Sequence, residues 1–289
     1  MIQSLLNNPV FSFIAIIWSS LTRNWTITYT QNWIFSIHFL AVTFVLMKEE
    51  VLFNLKQVHQ RIENACRNSG RNVSDVRLLL ATKTVTANNI QIAIEAGETL
   101  IGENKMQELR DKNPILKDLK VERHFIGHLQ TNKVKDVLKY VTCIQSLDRL
   151  SLANELDKQL QKEGRTLDVF IQVNTSFEES KFGLPPTEVL SFIQKIKRYE
   201  TLKIKGLMTI GLLDVEKEKM RPSLRLLRKI RDEIYAAEPE EIPNLQLSMG
   251  MSQDLELAIA EGSNIIRVGT AIFGNRFLGK EIWNENIAE

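Results

Sequence analysis

The chain has 289 residues, of which 44% are hydrophobic and 25% are charged, a composition typical of a globular protein with a large apolar core. Its 37 basic and 35 acidic residues leave a formal net charge of +2, which argues against a broad electrostatic attraction to nucleic acid. Two cysteines and four histidines, without metal-ligand spacing, argue against a disulfide framework and a structural metal site, and we expect a cytoplasmic protein.

The first 47 residues differ from the rest of the chain. They contain one charged side chain, Arg23, and two apolar runs, residues 9–21 and 33–47. Each run is shorter than the ~20 residues of a bilayer-spanning helix, and the first lacks the preceding basic segment of a signal peptide. We expect residues 1–46 to be an apolar extension outside the fold and residues 47–289 to form the folded domain. A membrane anchor or targeting segment is the alternative.

From residue 48 onward the pattern alternates between helix and strand. An amphipathic helix over residues 49–68 is predicted by apolar residues spaced three or four apart, namely Val51, Leu55, Val58, Ile62 and Ala65. Eight short β-prone runs follow, at residues 76–83, 99–104, 123–128, 143–148, 168–174, 204–210, 245–250 and 265–273. Helical stretches lie between them, for example at residues 87–96, 149–163, 186–199, 220–237 and 253–261.

Eight strands separated by helices predict an α/β fold with a parallel sheet, closed as a single (β/α)₈ TIM barrel with an extra N-terminal helix. A doubly wound open sheet is the competing architecture. It favours a glycine-rich turn after the first strand, and residues 82–85 read Thr-Lys-Thr-Val instead. In a barrel the chemistry lies at the carboxyl ends of the strands, and the predicted strands of this chain end in polar residues.

Lys83 closes the first predicted strand, directly after a strongly apolar stretch. A lysine at such a strand end holds its amine in a partly desolvated mouth, where it can attack aldehydes as a nucleophile. Its position alone is also compatible with an ordinary solvated lysine, because most lysines in proteins are exposed. Other residues must decide between the two interpretations.

Turns that contain glycine and hydroxyl residues follow the last two strands. Residues 248–252 read Ser-Met-Gly-Met-Ser, and Gly269 and Thr270 follow the eighth strand. Barrels frequently hold phosphate on the loops after strands seven and eight. The same residues fit two tight turns, with glycine at positive φ and serine as a helix cap, so both interpretations stay open at this point.

Arg267 lies inside the otherwise apolar eighth strand, two residues before Gly269. Strand alternation turns both residues to the same side, which predicts an arginine that points into the barrel. Such an arginine needs an anion or a lone pair as its partner. A buried ion pair with Glu103 or Asp254 would serve equally well.

Several segments carry more specific patterns. They are Leu-Ala-Thr-Lys-Thr at 80–84, Gly-Glu-Asn at 102–104, His-Phe-Ile-Gly-His-Leu-Gln-Thr-Asn-Lys at 124–133, Ile-Gln-Val-Asn at 171–174, Ser-Lys-Phe-Gly at 180–183, Gly-Leu-Met-Thr-Ile at 206–210, Ser-Met-Gly-Met-Ser-Gln-Asp at 248–254 and Arg-Val-Gly-Thr-Ala-Ile-Phe-Gly at 267–274. In this order the chain resembles the pyridoxal phosphate homeostasis protein family between residues 47 and 276. The segments at 124–133 and 248–254 are the most specific.

The resemblance implies a fold like the barrel domain of alanine racemase, with pyridoxal 5′-phosphate (PLP) joined to Lys83 as an imine. It implies further that Ser248, Gly269 and Thr270 hold the phosphate and that Arg267 lies near the pyridine nitrogen. The protein would act in vitamin B6 homeostasis, with little or no catalysis. PLP-dependent apo-enzymes would be its candidate partners, and a monomer or weak dimer is expected.

Two further contacts with PLP are implied by the resemblance. Asn104 would lie near the ring, and Met208 is the other candidate. The sequence departs from the family pattern at Lys105, where an aromatic residue is usual, at Gln145, where histidine is common, and at Phe177, where glycine is frequent. We expect none of these departures to touch the contacts that form the imine or hold the phosphate.

A PLP-dependent amino-acid racemase is the main alternative function. Racemisation needs acid and base groups on both faces of the substrate carbon, and only 16 residues follow Phe273, too few for the extra domain that supplies a tyrosine in alanine racemases. The four tyrosines of the chain lie in the extension or at predicted helices: Tyr29, Tyr140, Tyr199 and Tyr235. Two other classes stay open, a barrel aldolase that uses a lysine imine without PLP and an interaction protein tethered by residues 1–46.

Overall fold

The computed structural model describes residues 29–212, 214, 216–237 and 244–274, and their eight strands form a closed parallel barrel in sequence order. Every strand pairs with its sequence neighbours, and β1 pairs with β8 to close the ring. The strands are β1 (Arg77–Ala81), β2 (Leu100–Glu103), β3 (Glu122–Phe125), β4 (Cys143–Leu147), β5 (Leu167–Gln172), β6 (Leu202–Met208), β7 (Gln246–Ser248) and β8 (Ile265–Val268).

Helices precede β1 and follow each strand of the barrel. They are α1 (Tyr29–Asn68), α2 (Ala87–Glu95), α3 (Met106–Leu116), α4 (Val134–Val137), α5 (Leu150–Glu163), α6 (Val189–Ile196), α7 (Lys217–Ala237), α8 (Leu255–Ala260) and α9 (Thr270–Phe273). Short 3₁₀ turns at Val73–Asp75, Thr131–Lys133 and Pro186–Glu188 lead into β1, α4 and α6. The predicted TIM barrel with an extra N-terminal helix is therefore confirmed.

Helix α1 begins much earlier than the predicted start at residue 49. It runs without interruption from Tyr29, although its amphipathic part is where the sequence places it. The side chains at Val51, Leu55 and Val58 are buried, whereas Val45 is 55% exposed. In the described ranges no helix has the length and apolarity that a membrane crossing requires.

By its internal contacts the chain divides into two compact units, Met1–Met47 and Lys48–Glu289. This boundary falls beside the predicted one, and the exclusion of residues 1–46 from the working fold stays a prediction. The first apolar run, residues 9–21, lies outside the described residues.

The eighth strand is shorter than predicted. Pairing in β8 stops at Val268, and the next residues turn into α9, where the amides of Ile272 and Phe273 donate to the carbonyl of Gly269. A short apolar run is compatible with either a strand or a helix, so its periodicity could not separate β8 from α9. The difference matters, because the chain turns at Gly269 on the rim of the barrel.

Alternation along the strands divides the core in two. Residues such as Leu80, Ile144 and Leu207 face outward and pack under the helices in one large cluster. A smaller, separate cluster consists of Leu79, Leu100, Cys143, Phe170, Met208 and Ile265. In a barrel the alternate residues point inward and fill the interior in layers, so the second cluster forms the packed floor below the mouth.

Candidate functional site

The predicted site residues gather at the mouth, where all eight parallel strands have their carboxyl ends. Lys83 follows β1 and is half-buried, and Asn104 follows β2 and is also half-buried. Met208 ends β6 and is buried in the interior cluster. The remaining predicted residues lie on the last two strands, at Ser248, Arg267, Gly269 and Thr270.

The first and last strands bring Lys83 close to the turn after β8. In their register Leu79 is opposite Arg267 and Leu80 is opposite Val268. One step further, a Cβ on Gly269 would lie 2.6 Å from the carbonyl oxygen of Ala81. The two strand ends are therefore packed backbone to backbone, and glycine is required there for steric reasons.

A hydrogen bond also joins the loops after β7 and β8. The backbone amide of Ala271, after β8, donates to Ser252 Oγ, after β7, over 3.3 Å. In the loop after β7, Gly250 adopts a positive φ of 94°. Thr270 is exposed on the rim beside this contact. The two turns that the sequence marks as a phosphate cradle thus form one continuous edge of the mouth.

Arg267 points into the barrel, as the alternation predicts, and its side chain is buried. Its Nη1 donates to Ser248 Oγ over 2.9 Å, and its Nη2 donates to the carbonyl oxygen of Thr209 over 2.6 Å. The ion pairs considered for it are not formed, because Glu103 pairs with Lys112 and Asp254 accepts from the amide of Met251. Among the described residues, both acceptors of the guanidinium are neutral oxygens.

Burial governs the charge of this guanidinium. Loss of water lowers the pKa of Arg267 to about 10, and the nearby Asp254 carboxylate opposes that shift. Arg267 is still a cation at neutral pH. A guanidinium has five N–H donors and no acceptor, so the interior of the mouth offers positive charge and free donors to a group with lone pairs.

A chain of side chains continues from Ser248 across the barrel. Ser248 Oγ donates to Gln145 Oε1 over 2.6 Å, and Gln145 Nε2 lies 2.7 Å from His124 Nδ1. On the far side, His124 Nε2 lies 2.6 Å from Glu122 Oε1. The three hydrogen bonds are mutually consistent when Nδ1 of His124 accepts from Gln145 and the protonated Nε2 donates to Glu122. We call Glu122, His124, Gln145 and Ser248 the polar relay.

The carboxylate at the end of the polar relay is strongly stabilised. The hydrogen bond from His124 is the largest cause, and together with Arg77 it lowers the pKa of Glu122 to about 2 although partial burial opposes the shift. The relay therefore runs from a buried cation, Arg267, to an anion at the opposite end of the barrel. Such a fully paired polar network fixes the rotamer of each member.

One side of the mouth is formed by the loop after β5. Lys181 Nζ crosses to the loop after β6 and donates to the carbonyl oxygen of Gly211 over 2.7 Å. The ring of Phe182 stacks on His128 with a centroid separation of 3.7 Å, and Phe177 is 70% exposed. Burial lowers the pKa of His128, with Arg149 contributing in the same direction and Asp148 opposing it.

Comparison with known proteins assigns the family. The family model described as alanine racemase, N-terminal domain, matches residues 53–276. The pyridoxal phosphate homeostasis protein of Aquifex aeolicus is 42% identical over 222 residues, which cover 77% of this chain and 96% of that protein. The protein of the same name from Escherichia coli is 36% identical over 236 residues, 80% of this chain and 99% of that protein. This chain belongs to the pyridoxal phosphate homeostasis protein family.

Solved structures agree with this family assignment. PipY from Synechococcus elongatus, with PLP bound, is 30% identical with a TM-score of 0.65, covering 74% of this chain and 100% of that one. A protein of unknown function from Bifidobacterium adolescentis has a TM-score of 0.74 at 38% identity, covering 79% and 96% of the two chains. An alanine racemase from Clostridium difficile has a TM-score of 0.65 at 14% identity, covering 79% and 57%, and this likeness shows the fold alone.

At position 145 this homeostasis-family member has glutamine where histidine is common, and the side chain of Gln145 does contact a predicted site residue. We expected it to lie apart from the phosphate contacts, but its side-chain oxygen accepts the hydroxyl proton of Ser248. The expectation failed because β4 and β7 face each other across the interior, which the sequence does not reveal. A usable signal was present: Glu122 and His124 stand two residues apart in β3, the spacing of one strand face.

Proposed function

We propose that this protein holds PLP at the mouth of its barrel, as an imine on Lys83, and serves vitamin B6 homeostasis with little or no catalysis. The observation that carries the proposal is the pairing of a half-buried lysine at the end of β1 with a buried, donor-rich Arg267 on the adjacent strand β8. The family name and the PLP-bound neighbour support it.

The residues of the mouth fit each part of this cofactor. Lys83 offers its amine, which condenses with an aldehyde and releases water, and no carboxylate of the described chain holds that amine in an ion pair. Thr270 and the backbone at Gly269 would bind the phosphate on the rim. Arg267 would donate to the pyridine nitrogen, with Asn104 beside the ring.

Met208 and Ser248 have more limited roles in this proposal. Met208 is 1% exposed, and we propose that it supports the ring from the floor of the mouth. The Ser248 hydroxyl already donates to Gln145 and accepts from Arg267. We propose that Ser248 contributes chiefly by orienting Arg267, and its contact with the phosphate stays a prediction.

The environment of Arg267 favours a carrier over a racemase. Bound PLP stabilises carbanions as an electron sink, best when an acid protonates its pyridine nitrogen. Arg267 is a cation at neutral pH and cannot supply that proton easily, because its pKa of about 10 is far above the pH of the reaction. The mouth therefore binds the cofactor while weakening its main catalytic property.

The tyrosines also argue against a second base. Among the described side chains, Tyr140, Tyr199 and Tyr235 all lie just before a strand or on a helix, at the end of the barrel opposite the mouth. Tyr199 donates to Asn154, and Tyr235 donates to the carbonyl oxygen of Leu245. None of the three can reach a substrate carbon at Lys83.

The test of the proposed function is spectroscopic. Purified protein should show the visible absorption of a PLP imine, and borohydride should fix a phosphopyridoxyl group on Lys83, identified by peptide mapping. Lys83→Ala should bleach the protein while changing its stability by less than about 1 kcal/mol, because the side chain has little buried apolar area. A wild-type protein that stays colourless after incubation with PLP contradicts the proposal, and borohydride trapping of a carbonyl substrate without PLP would favour the aldolase.

A racemase assay decides between the two PLP functions. We expect alanine racemisation by the coloured protein only at trace rates, and turnover of ~1 per second or faster would establish the enzyme. We further propose PLP-dependent apo-enzymes as recipients and a monomer or weak dimer. The cytoplasmic location is a prediction that accords with two buried free cysteines, Cys66 and Cys143.

A further inference from the structure

Lys112 on α3 lies behind the chain segment that carries Lys83. Its side chain is 11% exposed, and its Nζ donates to the carbonyl oxygen of Thr82 over 2.7 Å, to Glu108 Oε2 over 2.7 Å and to Glu103 Oε1. An ammonium group has three hydrogens, so every one of them has an acceptor. Such saturation is uncommon for a lysine, and it marks Lys112 as part of a built network.

The same carboxylates hold both peptide neighbours of Lys83. Thr82 Oγ1 donates to Glu103 Oε1 over 2.5 Å, and the backbone amide of Thr84 donates to Glu108 Oε2 over 2.7 Å. Lys112 forms ion pairs with both Glu103 and Glu108, and it also donates a hydrogen bond to the carbonyl oxygen of Thr82. The residue before Lys83 and the residue after it are thus tied to one cluster.

The hydrogen bond to Glu108 stabilises an unfavourable backbone conformation at Thr84. Thr84 has a φ of 63°, in the left-handed region that β-branched residues rarely adopt. The hydrogen bond from its amide to Glu108 opposes relaxation of the turn to an ordinary conformation. Glu103 is 2% exposed, and burial raises the pKa of its carboxyl while Lys112 opposes that shift. The cluster therefore depends on the charge of Lys112 to hold the turn.

We propose that Lys112 is a positioning residue, which through Glu103, Glu108 and the flanking threonines fixes the turn at Lys83 and so aims the amine into the mouth. This inference rests on the proposed function and deepens it. Lys112 acts through its neighbours and does not itself contact PLP. The turn fixes the direction in which the side chain of Lys83 leaves the backbone, and this limits the orientations that PLP can take when it is joined to the amine.

The test compares Lys112→Met with Lys117→Met. Lys117 directly follows the same helix as its C-cap residue, is exposed, and serves as the matched control. Three quantities are measured on the full chain: the Kd for PLP, the visible circular dichroism per mole of bound imine, and the lysines fixed by borohydride. For Lys112→Met we expect a Kd raised roughly tenfold, visible dichroism lowered at least about twofold and label spread to other lysines. Lys117→Met should match wild type.

Visible dichroism separates positioning from stability, because it reports the orientation of bound PLP at temperatures where each variant is folded. A folded Lys112→Met protein with wild-type Kd, dichroism and labelling overturns the proposal. Labelling of Lys112 itself in wild type overturns it too. Failure of wild type to bind PLP instead overturns the proposed function.

A second pair of variants decides the matter if Lys112→Met does not fold. Glu108→Ala removes the acceptor of the Thr84 amide, whereas Glu108→Gln keeps an oxygen in that place, and Glu108 is only partly buried. We expect the alanine variant to lose dichroism and affinity as described above and the glutamine variant to lose clearly less. Equal values for the two variants overturn the proposal.

Discussion

At the scale of single residues, the hydroxyl of Ser248 has one proton, which it uses to donate a hydrogen bond to Gln145. The oxygen of Ser248 then faces Arg267 as an acceptor, so the serine and the glutamine together set the position of the guanidinium. One of the two hydrogen bonds that hold Arg267, the bond to Ser248, thus depends on Gln145 of β4, whereas the bond to the carbonyl of Thr209 does not. A change at Gln145 is expected to act on PLP retention through Arg267.

Replacement of Gln145 by Leu tests this dependence. The substitution leaves His124 Nδ1 and the Ser248 hydroxyl without their partner inside the barrel, and unpaired buried polar groups are costly. We expect the free energy of unfolding to fall by about 2 kcal/mol in urea titrations of the protein without PLP. The Kd for PLP should rise as well, because Arg267 loses its orientation.

Ser146→Ala is the matched control on the same strand. Ser146 Oγ is buried and has no hydrogen-bond partner in the described chain, so its removal breaks no bond. The unfolding free energy should not fall, because an unpaired buried hydroxyl is itself costly, and the Kd should not change. Equal losses in the two variants would mean that the polar relay has no special importance.

At the scale of elements, the joint between β1 and β8 determines the shape of the mouth. These strands carry Lys83 and Arg267, and they are in register to the rim. Close backbone approach at Gly269 draws the two ends together, and no side chain fits between them. The spacing between the backbone at the end of β1 and the turn after β8 is therefore determined by this one strand pair.

Gly269→Ala should force the two strand ends apart. Its Cβ would lie 2.6 Å from the carbonyl oxygen of Ala81, so the backbone must shift. We expect a loss of about 1–3 kcal/mol in unfolding free energy, as in other overpacked sites, and a Kd for PLP raised roughly tenfold. Calorimetry and absorbance titration measure the two effects.

Gly164→Ala separates strain from site geometry. Gly164 ends α5 with a φ of 63° and open space around it, at the end of the barrel opposite the mouth. Alanine should cost about 1 kcal/mol there because of the left-handed backbone, and PLP should bind with wild-type affinity. If Gly164→Ala weakened binding as much as Gly269→Ala, general destabilisation would explain both.

At the scale of the whole molecule, the extension and the barrel should prove separable. The contacts divide the chain between Met47 and Lys48, and the family match begins at residue 53. We expect residues 47–289 alone to fold and to bind PLP with the affinity of the full chain, measured by absorbance titration and thermal unfolding. A truncated protein that is unfolded, or that binds PLP more weakly, would show that the extension supports the barrel.

The same fold serves different chemistry in the alanine racemase neighbours, so the barrel alone does not decide the function. In this chain Arg267 is a buried cation at the mouth, and the described tyrosines lie at the other end of the barrel. Its relatives at 42% and 36% identity carry the homeostasis name over nearly their whole length.

The sequence by itself predicted all eight strands, their parallel order and the position of Lys83 near the end of the first strand, although β1 ends two residues earlier than predicted, at Ala81. These features follow from local pattern, since apolar periodicity and turn residues act over a few neighbouring positions. The local pattern did not predict the boundary between β8 and α9. Four apolar or small residues in a row are compatible with both structures.

Only the tertiary structure decided which groups hold the functional residues. Ser248 and Gln145 are 103 positions apart in the chain, and Arg267 reaches the carbonyl of Thr209 across 58. Polarity in a sequence shows that a buried group needs a partner but not which one, and Arg267 had carboxylates as plausible as the oxygens it uses. Closure of the barrel selects the partner, because it alone determines which strands face each other across the interior.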